Sequence, residues 1–188
     1  RGWYTIVDGE YVLKPERKQL LEDFYGTCKR NGIVEMNENG LTTDTYYENT
    51  KRFIAVETKG NVAFQKSVTC VPKPDAKYSA NGLGTLTNGV KGTEDYKINW
   101  LGWQGMDAEI VVDLEKITNV NEAAISTLQF PKSWILHPEK ITCLVSTDGK
   151  TFQASGTIQT AENLKSEPLI KEFVFAMNTQ PVRYIKFQ

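Results

Sequence analysis

The stretch AEIVVDL, residues 108–114, decides the fold. Ile110 and Val112 fall on one side of an extended chain and Val111 and Asp113 on the other, the period of two that marks a half-buried strand. KITCLVS, residues 140–146, repeats the pattern and sends Ile141, Cys143 and Val145 to one face. Further β-rich runs are AAISTLQF (123–130), KEFVFAM (171–177) and RYIKFQ (183–188). Turn signals separate the runs at Asn81-Gly82, Asn88-Gly89, Gly102, Gly105, Asp148-Gly149 and Gly156. Short strands at such spacing predict an all-β sandwich or barrel, with one face of each strand feeding the core.

Upstream the pattern changes. TIVDGEYVLK, residues 5–14, alternates around Asp8-Gly9, a pair that tolerates positive φ and so predicts a two-residue hairpin. A helix should follow: Pro15 suits its first turn, and Leu20, Leu21, Phe24, Tyr25 and Cys28 share one stripe. Lys29 and Arg30 complement its negative end, and Gly32 can cap it. It is the only convincing long helix. Residues 33–71 read as strand again, with punctuation at Asn39-Gly40 and with RFIAVET (52–58) and VAFQKSVTCV (62–71) forming a second hairpin around Gly60-Asn61. Pro72-Lys73-Pro74-Asp75 holds an extended path and is the expected linker. The chain is thus expected to be mainly β: a small α+β segment over residues 1–74, then an antiparallel β-sandwich over residues 75–188.

Composition narrows the function. A net charge of -1 over 188 residues, with 40% hydrophobic and 24% charged side chains, describes a folded chain without the concentrated Lys and Arg that nucleic acid requires. No run approaches the roughly 20 apolar residues of a membrane span, so no membrane insertion is expected. The sequence opens at Arg1 and reads as a fragment whose targeting segment has been removed. Cys28, Cys70 and Cys143 form neither a disulfide framework nor a metal knuckle and are expected to be buried thiols. His137 is the single histidine, which excludes chemistry built on paired imidazoles. The acid pairs Glu22-Asp23 and Glu94-Asp95 are adjacent in sequence and cannot converge on one substrate atom, so no catalytic residue is assigned.

The succession LTNGVKGTEDYKINWLGWQGMDAEIVVDLEK (86–116), SWILHPEKITCLVSTDGKTF (133–152) and VRYIKFQ (182–188) resembles the coagulation factor 5/8 type C, or discoidin-like, domain. It is similar in style to family 32 carbohydrate-binding modules. The likeness covers roughly Tyr78 to Gln188. The LGWQG and SWILHP elements most resemble the C-terminal module of bacterial family 20 glycoside hydrolases, the chitobiases and β-hexosaminidases. The preceding KRFIAVETKGNVAFQKSVTCV is weakly similar to the small β-domain that lies between such a catalytic barrel and its module. The resemblance implies a jelly-roll, galactose-binding-like sandwich, monomeric and extracytoplasmic, that binds a hexosamine- or galactose-containing glycan without catalysing a reaction. It also implies one more strand with an acidic residue beyond RYIKF, so the sandwich is expected to lack its customary last strand. The alternative is a structural spacer or protein-interaction domain with no sugar site.

A sugar offers C–H patches on one face and hydroxyls at its edge, so its site needs an exposed aromatic platform flanked by polar side chains. Trp100 and Trp103, beside Asn99, Gln104 and Asp107, have that chemistry; the competing role for either indole is to plug the core. Trp134 either sits at a loop tip or packs beneath its loop. His137, held extended by Pro138, reads as structural or solvent-facing. For calcium, which takes six to eight oxygens, the resemblance implies a site at Leu86, Asn88, Thr93 and Glu94, with Gly92 as a further carbonyl donor. Asn88 stands where an Asp is more familiar, and the competing reading is an ordinary Asn-Gly turn with solvated acids.

Overall fold

A computed structural model describes residues 3–8, 10–36, 41–56, 58–160 and 167–188. Strands β1 (Tyr4–Val7) and β2 (Glu10–Leu13) form the first hairpin, closing with Val7 opposite Glu10. Asp8 takes the left-handed φ of 51° that the Asp-Gly signal requires; Gly9, like Asn39-Gly40, lies outside the described residues. Helix α1 (Pro15–Arg30) follows, with Pro15 in its first turn. It buries Leu21, Tyr25 and Cys28 but leaves Leu20 and Phe24 exposed, so only part of the expected stripe faces the interior.

The expected second hairpin is corrected. Residues 52–54 belong instead to a second helix, α2 (Thr43–Ile54), so α1 is not the only long helix. Thr42 starts α2 by accepting a hydrogen bond on its side chain from the Thr45 amide at 3.1 Å. Asp44 and the pair Lys51 and Arg52 sit at the ends that their charges favour. α2 is held to α1 where the Tyr25 and Thr50 hydroxyls meet at 2.8 Å. Of VAFQKSVTCV, residues 62–65 form a turn and only β3 (Ser67–Val71) is strand. β3 pairs with β4 (Glu109–Gln129), beyond the Pro-rich segment, so the main sheet draws on both sides of the expected linker.

β5 (Lys140–Ser146), β6 (Gln153–Gln159) and β7 (Leu169–Phe187) complete an antiparallel sheet of order β3-β4-β7-β5-β6. The two long strands make this sheet a sandwich. Phe175 and Phe187 lie twelve positions apart on β7, about 40 Å if the strand ran straight, yet their ring centroids are 5.9 Å apart. β7 therefore doubles back with its partner. β4 bends at register shifts between Asp113 and Thr118 and between Val120 and Glu122. Its first half, the end of β7, β3, β5 and β6 make one layer, and the remaining β4–β7 ribbon folds over as the second. The predicted strand faces hold: Val112, Leu114, Ile141, Cys143 and Val145 meet Phe173, Phe175, Ile185 and Phe187 in the core. Gly156 lets Phe175 lie close, since a Cβ there would stand 3.3 Å from the ring. All three cysteines are free and buried.

Candidate functional site

The loop carrying the expected platform is held together largely by its own polar atoms. Asn99, at a left-handed φ of 60°, donates from Nδ2 to the Val90 carbonyl at 2.8 Å and accepts from Asn88 Nδ2 at 2.8 Å. Trp100 donates from its indole N–H to the Thr93 carbonyl at 2.8 Å. Its ring lies so close over Gly92 that a Cβ there would fall 2.2 Å from Cζ2. Trp103 donates to the Pro72 carbonyl at 2.9 Å. Both indoles are half-buried braces, a geometry nearer the packing role than the platform. Gln104 and Asp107 are exposed, and the Gln104 amide donates to Asp75 at 2.8 Å.

The oxygens expected to hold calcium are similarly engaged. Asn88 Oδ1 accepts the Val90 amide at 2.8 Å, and the Thr93 hydroxyl donates to the Asp95 carbonyl at 3.3 Å. The Thr93 carbonyl takes the Trp100 indole. A calcium ion here would draw on the Glu94 carboxylate and the Leu86 and Gly92 carbonyls beside these groups, and it prefers six to eight oxygens. As arranged, the Asn88 side chain fastens its own turn. Among the described residues no cluster of three or more His, Cys, Asp or Glu is placed to hold a metal.

Trp134 is different. It is 92% exposed and sits at φ 58°, a left-handed conformation costly for a bulky side chain. Its loop is nevertheless rigidly closed. Phe130 and Ile135 exchange backbone hydrogen bonds at 2.8 and 3.2 Å, and inside them the Ser133 amide reaches the Phe130 carbonyl and the Trp134 amide the Pro131 carbonyl, each at 2.9 Å. Of the two roles left open by the sequence, the loop tip is the one observed. His137 behind it is structural: Nδ1 pairs with the Thr127 hydroxyl at 2.7 Å and the ring meets the edge of Phe173. Burial, and then the nearby Lys171 charge, push its pKa down.

Sequence reasoning missed a groove of about 410 Å³ lined by residues 76–80, Tyr96, Lys97 and Trp100. Tyr78, 46% exposed, enters it from a short 3₁₀ turn (Ala76–Tyr78). The turn is pinned because the Tyr78 amide donates to Asp75 and its carbonyl accepts from Gly102. Tyr96 packs on Phe130 with ring centroids 6.4 Å apart, so the groove wall abuts the base of the Trp134 loop. Only the aromatic content of YKINW hinted at this pairing.

No family model matches the chain, and no curated protein matches it. Among solved structures it is similar to chitosan-binding module 1 of a chitosanase/glucanase from Paenibacillus sp. IK-5, with 18% identity, 68% of this chain and 83% of that one covered, and a TM-score of 0.43. A Clostridium perfringens module, CpGH89CBM32-4, in complex with GlcNAc-α-1,4-galactose, is 17% identical over 68% of this chain and 76% of that one, with a TM-score of 0.45. The structure of SpGH29 is 14% identical and covers 99% of this chain with 38% of its own length, at a TM-score of 0.47. At these identities and TM-scores none carries a residue role over to this chain.

Proposed function

We propose that the chain is a non-catalytic carbohydrate-binding module of the discoidin-like kind, and that Trp134 is its platform. The observation that carries this reading is an indole 92% exposed on a loop closed by four backbone hydrogen bonds. Leaving so large an apolar face in water, in a strained conformation, favours neither solubility nor stability, and such rule-breaking residues cluster at binding sites. The ring's flat face matches the C–H face of a pyranose, while the exposed backbone and side chains beside it can meet the hydroxyl edge. Trp100, Trp103, Asn99 and Gln104 support the neighbouring loop.

The ligand class is a hexosamine- or galactose-containing glycan, and the setting an extracytoplasmic accessory to a glycoside hydrolase, where a weak monomeric binder raises the local concentration of substrate. The test is a glycan array followed by calorimetric titration of the best hexosamine and galactose oligosaccharides. The wild type should bind in the millimolar range or tighter, and Trp134→Ala should weaken binding about thirtyfold, since removing a contact Trp commonly costs about 2 kcal/mol. Absence of binding to every glycan by the folded protein would refute the reading.

A spacer that packs on a neighbouring domain is the second reading, favoured by Ile6, Leu20, Phe24 and Val34, which are apolar and exposed on the N-terminal elements. It predicts that Trp134→Ala changes no binding property at all.

A further inference from the structure

We propose that the groove between residues 76–80 and 96–100 is a second contact of the same module and accepts an acidic sugar unit, one bearing a carboxylate or sulfate. The inference rests on the carbohydrate reading of the Trp134 loop and adds a charge preference to it.

The walls have the required chemistry. Trp100 is fixed by its N–H bond to Thr93 and by its packing on Gly92, and the Tyr78 backbone is fixed at both its amide and its carbonyl. The aromatic surface is thus preorganised and orders little on binding. Lys77 and Lys97 complete the lining. Neither has a carboxylate partner among the described residues. The acids nearest in sequence are turned to backbone amides, Asp75 to Gln104 at 2.8 Å and Asp95 to Lys97 at 2.9 Å. The lining residues include two lysines and no acid. Lys97 also stands over the Tyr96 ring, 5.8 Å from its centroid, which keeps its charge beside an aromatic wall.

Volume and position select the ligand. About 410 Å³ lies in the range of small-ligand sites, roughly 300–1,000 Å³. Two lysines are too few for the multiple phosphate contacts that hold nucleic acid. Because Tyr96 rests on Phe130, the residue that closes the Trp134 loop, an oligosaccharide stacked on Trp134 can continue toward the groove and place a charged substituent there. Ammonium groups bind carboxylate and sulfate alike, as point charges.

Titration calorimetry of the full chain with four probes tests this: a neutral N-acetylhexosamine trisaccharide, a hexuronic acid trisaccharide, a sulfated hexosamine trisaccharide and an acidic hexapeptide. At low salt one of the two acidic sugars should bind at least tenfold tighter than the neutral one, and which of the two does so identifies the anion. The preference should vanish in the double variant Lys77→Gln/Lys97→Gln and in high salt, while neutral-sugar binding is unchanged. Trp134→Ala should weaken all the sugars. Equal binding of acidic and neutral sugars, a preference that survives the double variant, or equal binding of the hexapeptide would each overturn the inference while leaving the platform intact. Failure of every sugar would remove both. Unchanged circular dichroism melting of the variants excludes unfolding as the cause.

Discussion

Trp134 breaks two local rules at once, exposure and handedness, and each has a measurable sign. Trp134→Gly accepts the left-handed φ freely, so it should raise unfolding stability by about 1 kcal/mol in urea titration while weakening glycan binding as Trp134→Ala does. A loss of stability would place the indole in packing instead. His137 gives a pH signature. Burial holds its folded pKa below the ordinary value of 6.5, so the unfolded chain takes up the proton first. Stability contributed by neutral His137 is full above pH 6.5 and is lost as pH falls from there through the folded value. Melting temperatures should therefore drop between pH 7 and 5, and less so in His137→Gln. Cys143, fully buried with its thiol pushed up to about 11, should resist thiol reagents until the protein unfolds. Sequence showed that these residues were unusual in type, but whether each indole faced inward depended on partners such as Pro72 and Thr93 that no spacing rule supplies.

At the scale of elements, α2 shows how a cap can outweigh residue preference. TDTYYENTKRFI is rich in β-branched and aromatic residues and reads as strand-prone, yet Thr42 nucleates a helix that tertiary packing against Tyr25 then sustains. Thr42→Ala should cost about 1 kcal/mol, measured by chemical denaturation. The bend in β4 has its own fastening. Asp113 accepts the Glu115 amide at 2.7 Å, where Glu115 sits at φ 68°, and receives two guanidinium bonds from Arg183 at 2.9 and 3.1 Å. The Arg183 bonds hold the Asp113 carboxyl below its ordinary 3.8. Its stabilisation is present above that value and is lost as pH falls through the lower folded value, so Asp113→Asn should flatten the acid limb of the stability profile. The strand faces were legible because the period of two survives burial; the bend was not, because no glycine marks it.

The whole molecule is a sandwich whose layers share their longest strands. Phe173, 2% exposed, lies where the layers meet, and Phe173→Ala should cost about 3–5 kcal/mol by thermal unfolding. Because β3 borders β4, a chain beginning at residue 75 would leave the β4 edge open from Glu109 to Asp113. It should melt several degrees below one beginning at residue 59, and equal melting would place the domain boundary at the Pro-rich segment. The continuous ribbon also bears on how the chain folds. Its pairing starts with Gln129 and Leu169, 40 positions apart, and ends with Ile110 and Phe187, 77 apart. Loop closure favours the nearer pair by entropy, so the ribbon should zip from the Leu128–Ile170 end toward the termini. Leu128→Ala should then slow refolding, whereas Ile110→Ala should chiefly speed unfolding in stopped-flow experiments. The Trp134 loop, standing directly on the Gln129 end of that zipper, would be among the earliest parts of the binding surface to take shape.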